Sequence, residues 1–463
     1  MFITRKFGYT KGNAVRLNLR RTCHMSGRES ERKEEPKLFF DIHCHAMNLS
    51  HPNLTALINR LPKLGLLGAI GIPSFSYFIT LFSRNEVKRV FNLLSVMDND
   101  VGDIFLIMEF YLKNGGLIEN DALTIDNTKY DAIVLTPLLI DFGYKNLKYR
   151  GIEIEIYYRI PPEKPIIPQT IDVFNGICKY YSSELVKNSK GQYEIQARRG
   201  KAVFEIYPFL GINTVRYDYK KIATMLDKYF GEYTGSYDAF KKNREQFEKF
   251  NGNIDSLGSN FFAGIKVYPP IGFNPWPDDD KEQLEKVNLL YQYCCKKHIP
   301  ITTHCSDGGF VLENKKNAKD YTSPTTWQKV LEHYPTLKIN FAHFGQQGNF
   351  LFVFPNRQWQ GEIVRLMKEE ISPNVKKYPN VYTDFSYRAF NDDYYVSLKE
   401  VIDTDNVALD RILFGTDFMI NLIWIESYNE YLIKFRDTKS LKPYKKELFC
   451  STNPRRFLFH KDS

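Results

Sequence analysis

KLFFDIHCH, residues 37–45, carries the decision about the fold. Lys37–His43 is a run of β-forming, mostly apolar residues that stops at an ionisable side chain, and such runs suit parallel strands buried on both faces. Seven further runs share this form: Ala132–Leu139 (AIVLTPLL), Ala202–Phe209 (AVFEIYPF), Gly264–Tyr268 (GIKVY), Ile299–His304 (IPITTH), Lys338–His343 (KINFAH), Asn380–Asp384 (NVYTD) and Arg411–Asp417 (RILFGTD). Helical patterns lie between them at Tyr219–Tyr229, Tyr237–Phe250, Lys281–His298, Pro324–Tyr334, Gln358–Ile371 and Asp392–Ile402. Strand and helix in alternation imply parallel βαβ units, and eight of them predict an α/β protein of the closed (β/α)8 TIM-barrel type. In that architecture the C-terminal strand ends face the active site, so the polar residues closing the runs stand where chemistry is expected.

The 463 residues would accommodate three average domains or one barrel with insertions. We read a leader at 1–36 and a single domain at 37–463, with long insertions after the first and second strands at about 48–131 and 141–201. The second insertion contains GIEIEIYYRI (151–160), whose period of two predicts an added strand or hairpin, and then Ile171–Val186, which reads as a helix. Between Lys63 and Arg84 lie 20 uncharged residues, long enough for a membrane span, but Pro73, three glycines and three serines dilute their hydrophobicity. A span there would separate the first strand from the other seven. A buried lid or an oligomer contact accounts for the segment more simply, so no membrane association is expected and a homo-oligomer is compatible with it.

The formal charge of +9 invites a nucleic-acid reading until its position is checked. Residues 1–28 hold seven basic residues and no acid, which leaves 56 basic against 54 acidic residues in the rest of the chain. A nearly neutral body offers no electrostatic footprint for nucleic acid. The Arg-rich, acid-free leader is compatible with an organelle transit peptide, the plainer reading being a disordered extension or an upstream start with Met25 as the working start, and it lacks the apolar core of a secretory signal. Seven cysteines without CxxC spacing fit a reducing, cytoplasmic setting.

Asp41, His43 and His45 stand at i, i+2 and i+4, which strand alternation places on one face. The two histidines are then roughly 7 Å apart along the strand, within reach of one metal ion. His304 and His343 also close runs, so four of the nine histidines sit at strand ends, and Asp417 closes the last run. His24, His51, His298, His333 and His460 fall in the leader, loops, helices or tail, where solvated or capping roles are expected. Imidazole and carboxylate are the usual ligands of Zn2+, and three or four of them with an open position make a catalytic site that lowers the pKa of bound water to about 7.

Asp-x-His-x-His on the first strand, His on the fifth and sixth and Gly-Thr-Asp on the eighth resemble the amidohydrolase superfamily. GIKVYPPIGFNP and the closing STNPRRFLF are similar to its amidohydrolase-related branch. The resemblance runs from about Phe39 to Phe459 with the two insertions unmatched. It implies that His43, His45, His304 and Asp417 are metal ligands, that His343 is an acid/base or substrate polariser, and that Asp417 also takes a proton from the attacking water. It further implies that Lys266 is either carbamylated and bridges two ions, or is unmodified beside a single ion and contacts substrate.

Glu205, Tyr268, Asp384 and Arg388, at other strand ends, are candidates for binding substrate, with helix capping as the plainer reading. The expected function is a metal-dependent hydrolase of a small amide, lactone or ester, with Zn2+ as cofactor. A metal-dependent decarboxylase is the alternative, followed by a phosphoester hydrolase and by a non-catalytic barrel used for interaction.

Overall fold

The computed structural model describes residues 35–52, 84–143, 147–149, 152–154, 164–247, 250–348 and 357–459. Pro36–Ser463 makes one compact unit, and residues 1–34 lie outside the described residues. The basic leader and the uncharged 64–83 segment also lie outside them. Among the described residues no helix is long and apolar enough to cross a membrane.

All eight runs contain parallel strands: β1 (Leu38–Cys44), β2 (Ala132–Pro137), β3 (Phe204–Ile206), β4 (Phe209–Gly211), β5 (Gly264–Val267), β6 (Ile301–Thr303), β7 (Ile339–Phe341), β8 (Val381–Asp384) and β9 (Ile412–Leu413). The third run, expected as one strand, is divided into β3 and β4. Tyr207 N still donates to Leu135 O at 2.9 Å, but Pro208 has no N–H to give, and the strand is interrupted there. One sheet has the order β1-β2-β3 and the other β4-β5-β6-β7-β8-β9. Isolated parallel bridges pair Leu138, beyond β2, with Phe209, and Cys44 with Phe418, beyond β9. Ile42 N also donates to Phe414 O at 3.1 Å.

Helices Tyr219–Phe230, Tyr237–Phe247, Lys281–Lys297, Pro324–His333, Gln358–Lys368 and Asp392–Thr404 connect the later strands, close to their expected bounds. Four of these starts are legible because a short polar side chain accepts a first-turn N–H: Asp218 from Lys221, Asp280 from Gln283, Ser323 from Thr325 and Asn391 from Asp393. Behind the sheet, Phe39 and Phe435 stand 5.1 and 4.5 Å from Phe414, ring centre to ring centre, and all three are fully buried.

The first insertion contains helices Arg84–Met97 and Val101–Asn114 and an antiparallel sheet of Ile118–Glu119, Ala122–Ile125 and Thr128–Tyr130. In the second, the helix spans Ile166–Ser182 rather than 171–186. Pro168 lies in its first turn, where a missing N–H costs nothing, so the helix begins before that proline rather than after it. Its far end gives way at Ser183 to a hairpin of Ser183–Lys187 and Tyr193–Ala197. Of the period-two stretch, Ile152–Ile154 pairs antiparallel with Leu147–Tyr149, and most of the remainder lies outside the described residues. Arg198 ties these parts together. It donates to both oxygens of Glu109, at 2.8 and 3.1 Å, with its guanidinium 4.6 Å from the centre of the Tyr180 ring.

Candidate metal centre

The ends of β1, β6 and β7, with the turn after β9, bring four buried histidines and Asp417 together. His43 and His45 have ring centres 5.5 Å apart, and their Nε2 atoms lie 3.4 and 3.0 Å from the same oxygen, Asp417 Oδ1. Asp417 is set there by its backbone: its N–H donates to His43 O at 2.6 Å, and Gly415 lets the chain pass so close to β1 that a Cβ there would stand 2.6 Å from His43 Cβ. On the opposite side, His343 Nε2 is 3.2 Å from His304 Nδ1. His343 and Asp417 both adopt left-handed backbone, with φ of 64° and 59°. Each costs on the order of 1–3 kcal/mol, a strain that gathers at functional positions.

The far side of each imidazole decides which atom faces the cluster. His43 Nδ1 is 3.0 Å from Asp384 Oδ2, and His45 Nδ1 is 2.9 Å from Leu138 O. His304 Nε2 is 2.9 Å from Gly308 O. Carboxylate and carbonyl oxygens only accept, so each claims a ring N–H and leaves the other nitrogen with its lone pair. With the rings neutral, His43 Nε2, His45 Nε2, His304 Nδ1 and Asp417 Oδ1 are then all acceptors. Such a set repels itself unless it shares a cation. Two ligand atoms about 2.0 Å from one tetrahedral ion stand roughly 3.3 Å apart, and the separations of 3.0 and 3.4 Å from Asp417 Oδ1 to His45 and His43 are of that size. One ligand atom from each of His43, His343 and Asp417 lies within 4.8 Å of the other two. The donor set fits a divalent metal ion.

Charge in the metal-free site follows from the same contacts. Burial works to lower the His43 imidazolium, but the Asp384 charge and hydrogen bonds to Asp384 and Asp417 outweigh it and raise the group to about 9. His45, whose Nδ1 meets only a carbonyl, is lowered by burial despite Asp417. Burial, and then neighbouring positive charge, depresses His304 strongly and brings His343 down to about 3. Burial disfavours charge on Asp417, yet its contacts with the His43 and His45 rings hold it well below the usual carboxylate range.

Residues 253–459 match the family model described as Amidohydrolase. That stretch, a little under half of the chain, is similar to the amidohydrolase family. The matched stretch holds Lys266, His304, His343 and Asp417, and begins after His43 and His45. No curated protein matches the chain. Among solved structures it is similar to 5-carboxyvanillate decarboxylase from Novosphingobium aromaticivorans, a manganese complex, at 11% identity and a TM-score of 0.41, covering 92% of this chain and 97% of that one. It is also similar to 4-oxalomesaconate hydratase from Rhodopseudomonas palustris, at 12% identity, a TM-score of 0.39 and coverage of 91% and 95%. An uncharacterised TIM-barrel protein from Bordetella bronchiseptica shows 13% identity, a TM-score of 0.39 and coverage of 91% and 98%.

The other expected residues divide into three groups. Lys266 and Tyr268 stand at the centre. Lys266 Nζ is buried without a hydrogen-bond partner among the described residues, and burial lowers it to about 8. The Tyr268 ring centre lies 4.6 Å from that of His304, and its hydroxyl accepts the Phe310 N–H at 2.9 Å. Gly309 (φ 109°) makes this possible, because a Cβ there would collide with the Tyr268 hydroxyl and the His304 ring. Arg388 lines a cavity of about 590 Å³ beside His343, and the Gln346 amide oxygen accepts from its guanidinium when turned toward it. Glu205 lies apart, engaged by Tyr207, Tyr237 and Arg244.

Asp41 does not join the histidines. Its carboxylate receives Thr416 N–H at 3.0 Å and Thr416 Oγ1–H at 2.7 Å. Asp384, considered as a substrate contact, is instead fully buried beneath His43, where Asn340 Nδ2 and His343 N also donate to it at 2.8 and 3.0 Å. Ser386 and Asn340 escaped the sequence reading altogether. The one available signal was position, two residues beyond a strand-end Asp for Ser386 and within an apolar strand for Asn340.

Proposed function

We propose that this chain is a metal-dependent hydrolase of a small-molecule amide, lactone or ester, working on a closed (β/α)8 barrel. The backbone bonds from β1 to the chain following β9, and the bridge from β2 to β4, support closure. In this reading one catalytic domain occupies 37–463 behind a basic leader, in a cytoplasmic setting.

His43, His45, His304 and Asp417 hold one ion, taken as Zn2+. When bound, the ion supplies a Lewis acid and brings the pKa of water toward neutrality. The observation that carries the reading is the cluster of facing acceptor atoms at separations of 3.0–3.4 Å, next to a carboxylate kept ionised. Asp417 takes the proton of the attacking water, and His343, neutral and buried, moves a proton through Nε2. Lys266 keeps its amine and, with Tyr268, faces the reacting group. Arg388 binds an anionic or polar end of the substrate in the neighbouring cavity, whose volume suits a small molecule.

The test has two arms. Metal content of the purified protein should be near one ion per chain, lost in His43→Ala/His45→Ala and in His304→Ala but kept in His343→Ala; stoichiometric metal in the double variant would overturn the site. A substrate screen then follows acid release and CO2 release separately. CO2 as the sole product would replace hydrolysis by decarboxylation.

A further inference from the structure

Ser386 lies beyond the residues assigned above, and its hydroxyl meets three groups at once. Its Oγ is 2.5 Å from Asp384 Oδ1, 2.8 Å from His343 Nδ1 and 3.1 Å from His43 Nδ1, all within the buried floor of the site. A hydroxyl has one proton and two lone pairs. The Asp384 carboxylate is met by three fixed N–H donors, Asn340 Nδ2 at 2.8 Å on Oδ2 and the His343 and Ser386 backbones at 3.0 and 3.1 Å on Oδ1, and so acts as the acceptor. The Ser386 proton therefore goes to Asp384, and what Oγ offers the two rings is lone pairs. Both rings must meet it with Nδ1–H. For His43 this repeats what Asp384 Oδ2 already dictates. For His343 nothing else dictates it, because no other acceptor is found at its Nδ1 among the described residues.

The competing arrangement is concrete. His343 could carry its proton on Nε2 and donate to His304 Nδ1 at 3.2 Å, with Ser386 turned round to donate to His343 Nδ1. That trades a short bond to a carboxylate for a longer one between two neutral rings, whose lone pairs otherwise face each other at 3.2 Å. Charge-assisted hydrogen bonds are roughly twice as strong as neutral ones, so the first arrangement wins. We propose that Ser386 is a positioning residue that passes the pull of Asp384 to His343, locking it as the Nδ1–H tautomer with the Nε2 lone pair facing the metal cluster. One carboxylate thus orients two imidazoles, His43 directly through Oδ2 and His343 through the Ser386 hydroxyl. The inference rests on the metal-hydrolase reading for its purpose, since a proton carrier needs that lone pair, but not for its geometry.

The tautomer can be read directly on metal-free protein by long-range 15N–1H correlation of 15N-histidine-labelled chain, with the His343 signals assigned by their loss in His343→Gln. Wild type should show Nδ1 protonated and Nε2 bare. Ser386→Ala, whose remaining choice is donation to His304, should shift the ratio toward Nε2–H at least tenfold, with circular dichroism unchanged. Ser386→Thr, which keeps a hydroxyl, should restore the wild-type pattern; it also decides the matter if the alanine variant does not fold, since a folded threonine variant with mixed tautomers overturns the proposal. A ratio in Ser386→Ala within twofold of wild type overturns it as well. A parallel Zn2+ titration of wild type keeps the two readings apart: failure to bind zinc sinks the metal centre, while the tautomer of the metal-free protein still decides Ser386.

Discussion

Thr416 gives Asp41 two hydrogen bonds, one from its backbone N–H at 3.0 Å and one from its hydroxyl at 2.7 Å, so a single buried carboxylate fastens the turn that carries Asp417 to β1. Asp41→Ala leaves Thr416 without this acceptor and is expected to cost about 1–3 kcal/mol. Thr416→Val removes one of the same bonds, so the pair should be non-additive by at least about 0.5 kcal/mol. Denaturant melts of the two single variants, the double variant and wild type give this coupling. Strict additivity would show that the two residues act independently.

Metal binding and metal-free stability should respond to pH in opposite directions. His43 is raised to about 9 in the metal-free fold, above the ordinary histidine value of 6.5. Its stabilising proton is therefore fully present below pH 6.5, and the stability it contributes is lost as pH rises through 9. A metal ion needs His43 Nε2 bare, so apparent Zn2+ affinity should climb about tenfold per unit from pH 6 to 8, with roughly one proton released per ion. Competition titrations at three pH values check this; an affinity independent of pH contradicts it.

Asp417→Asn keeps the shape and one oxygen ligand but cannot take a proton. Metal should be largely retained while turnover falls by at least the roughly 10²-fold typical of losing general acid–base catalysis. Once a substrate is in hand, steady-state rates of metal-loaded variant and wild type decide the point. Equal rates would move the base to His343.

Arg198→Ala should destabilise the insertion more than a surface change would. It leaves the Glu109 carboxylate, 4% exposed, with Lys113 as its remaining cation at 2.6 Å. With Lys113 still in place, losing the bidentate partner is expected to cost about 1–3 kcal/mol. Limited proteolysis should cut first near the helix Ile166–Ser182 and the hairpin after it, and wild-type resistance there would refute the clasp.

Strand order and the ionisable cluster were legible for one reason. A residue that must face a metal interrupts an apolar run at its end, as His43, His304, His343 and Asp417 do, and such interruptions survive in a linear reading. Ser386 leaves no mark of this kind. In FSYRAF it is one polar residue in a loop, and its meaning lies in contacts with His43, 343 residues away, and His343, 43 away. The end of the helix at Ser182 was hidden by Leu185 and Val186, whose spacing continues a helical pattern although they belong to a hairpin. Pro208 was visible, but its effect on the third strand depends on which neighbour asks for the missing N–H.

The bond from Thr416 to Asp41 spans 375 positions of chain. At roughly 5–20 residues per second of synthesis, the first strand waits on the order of 20–75 s on the ribosome before the residues that complete its site exist. Throughout that interval His43 and His45 belong to a nascent chain that offers a His-x-His pair and no carboxylate partner from the last strand. The centre is thus a signature of completed translation, and a chain truncated before Asp417 should emerge with its other strands present and its ion unclaimed.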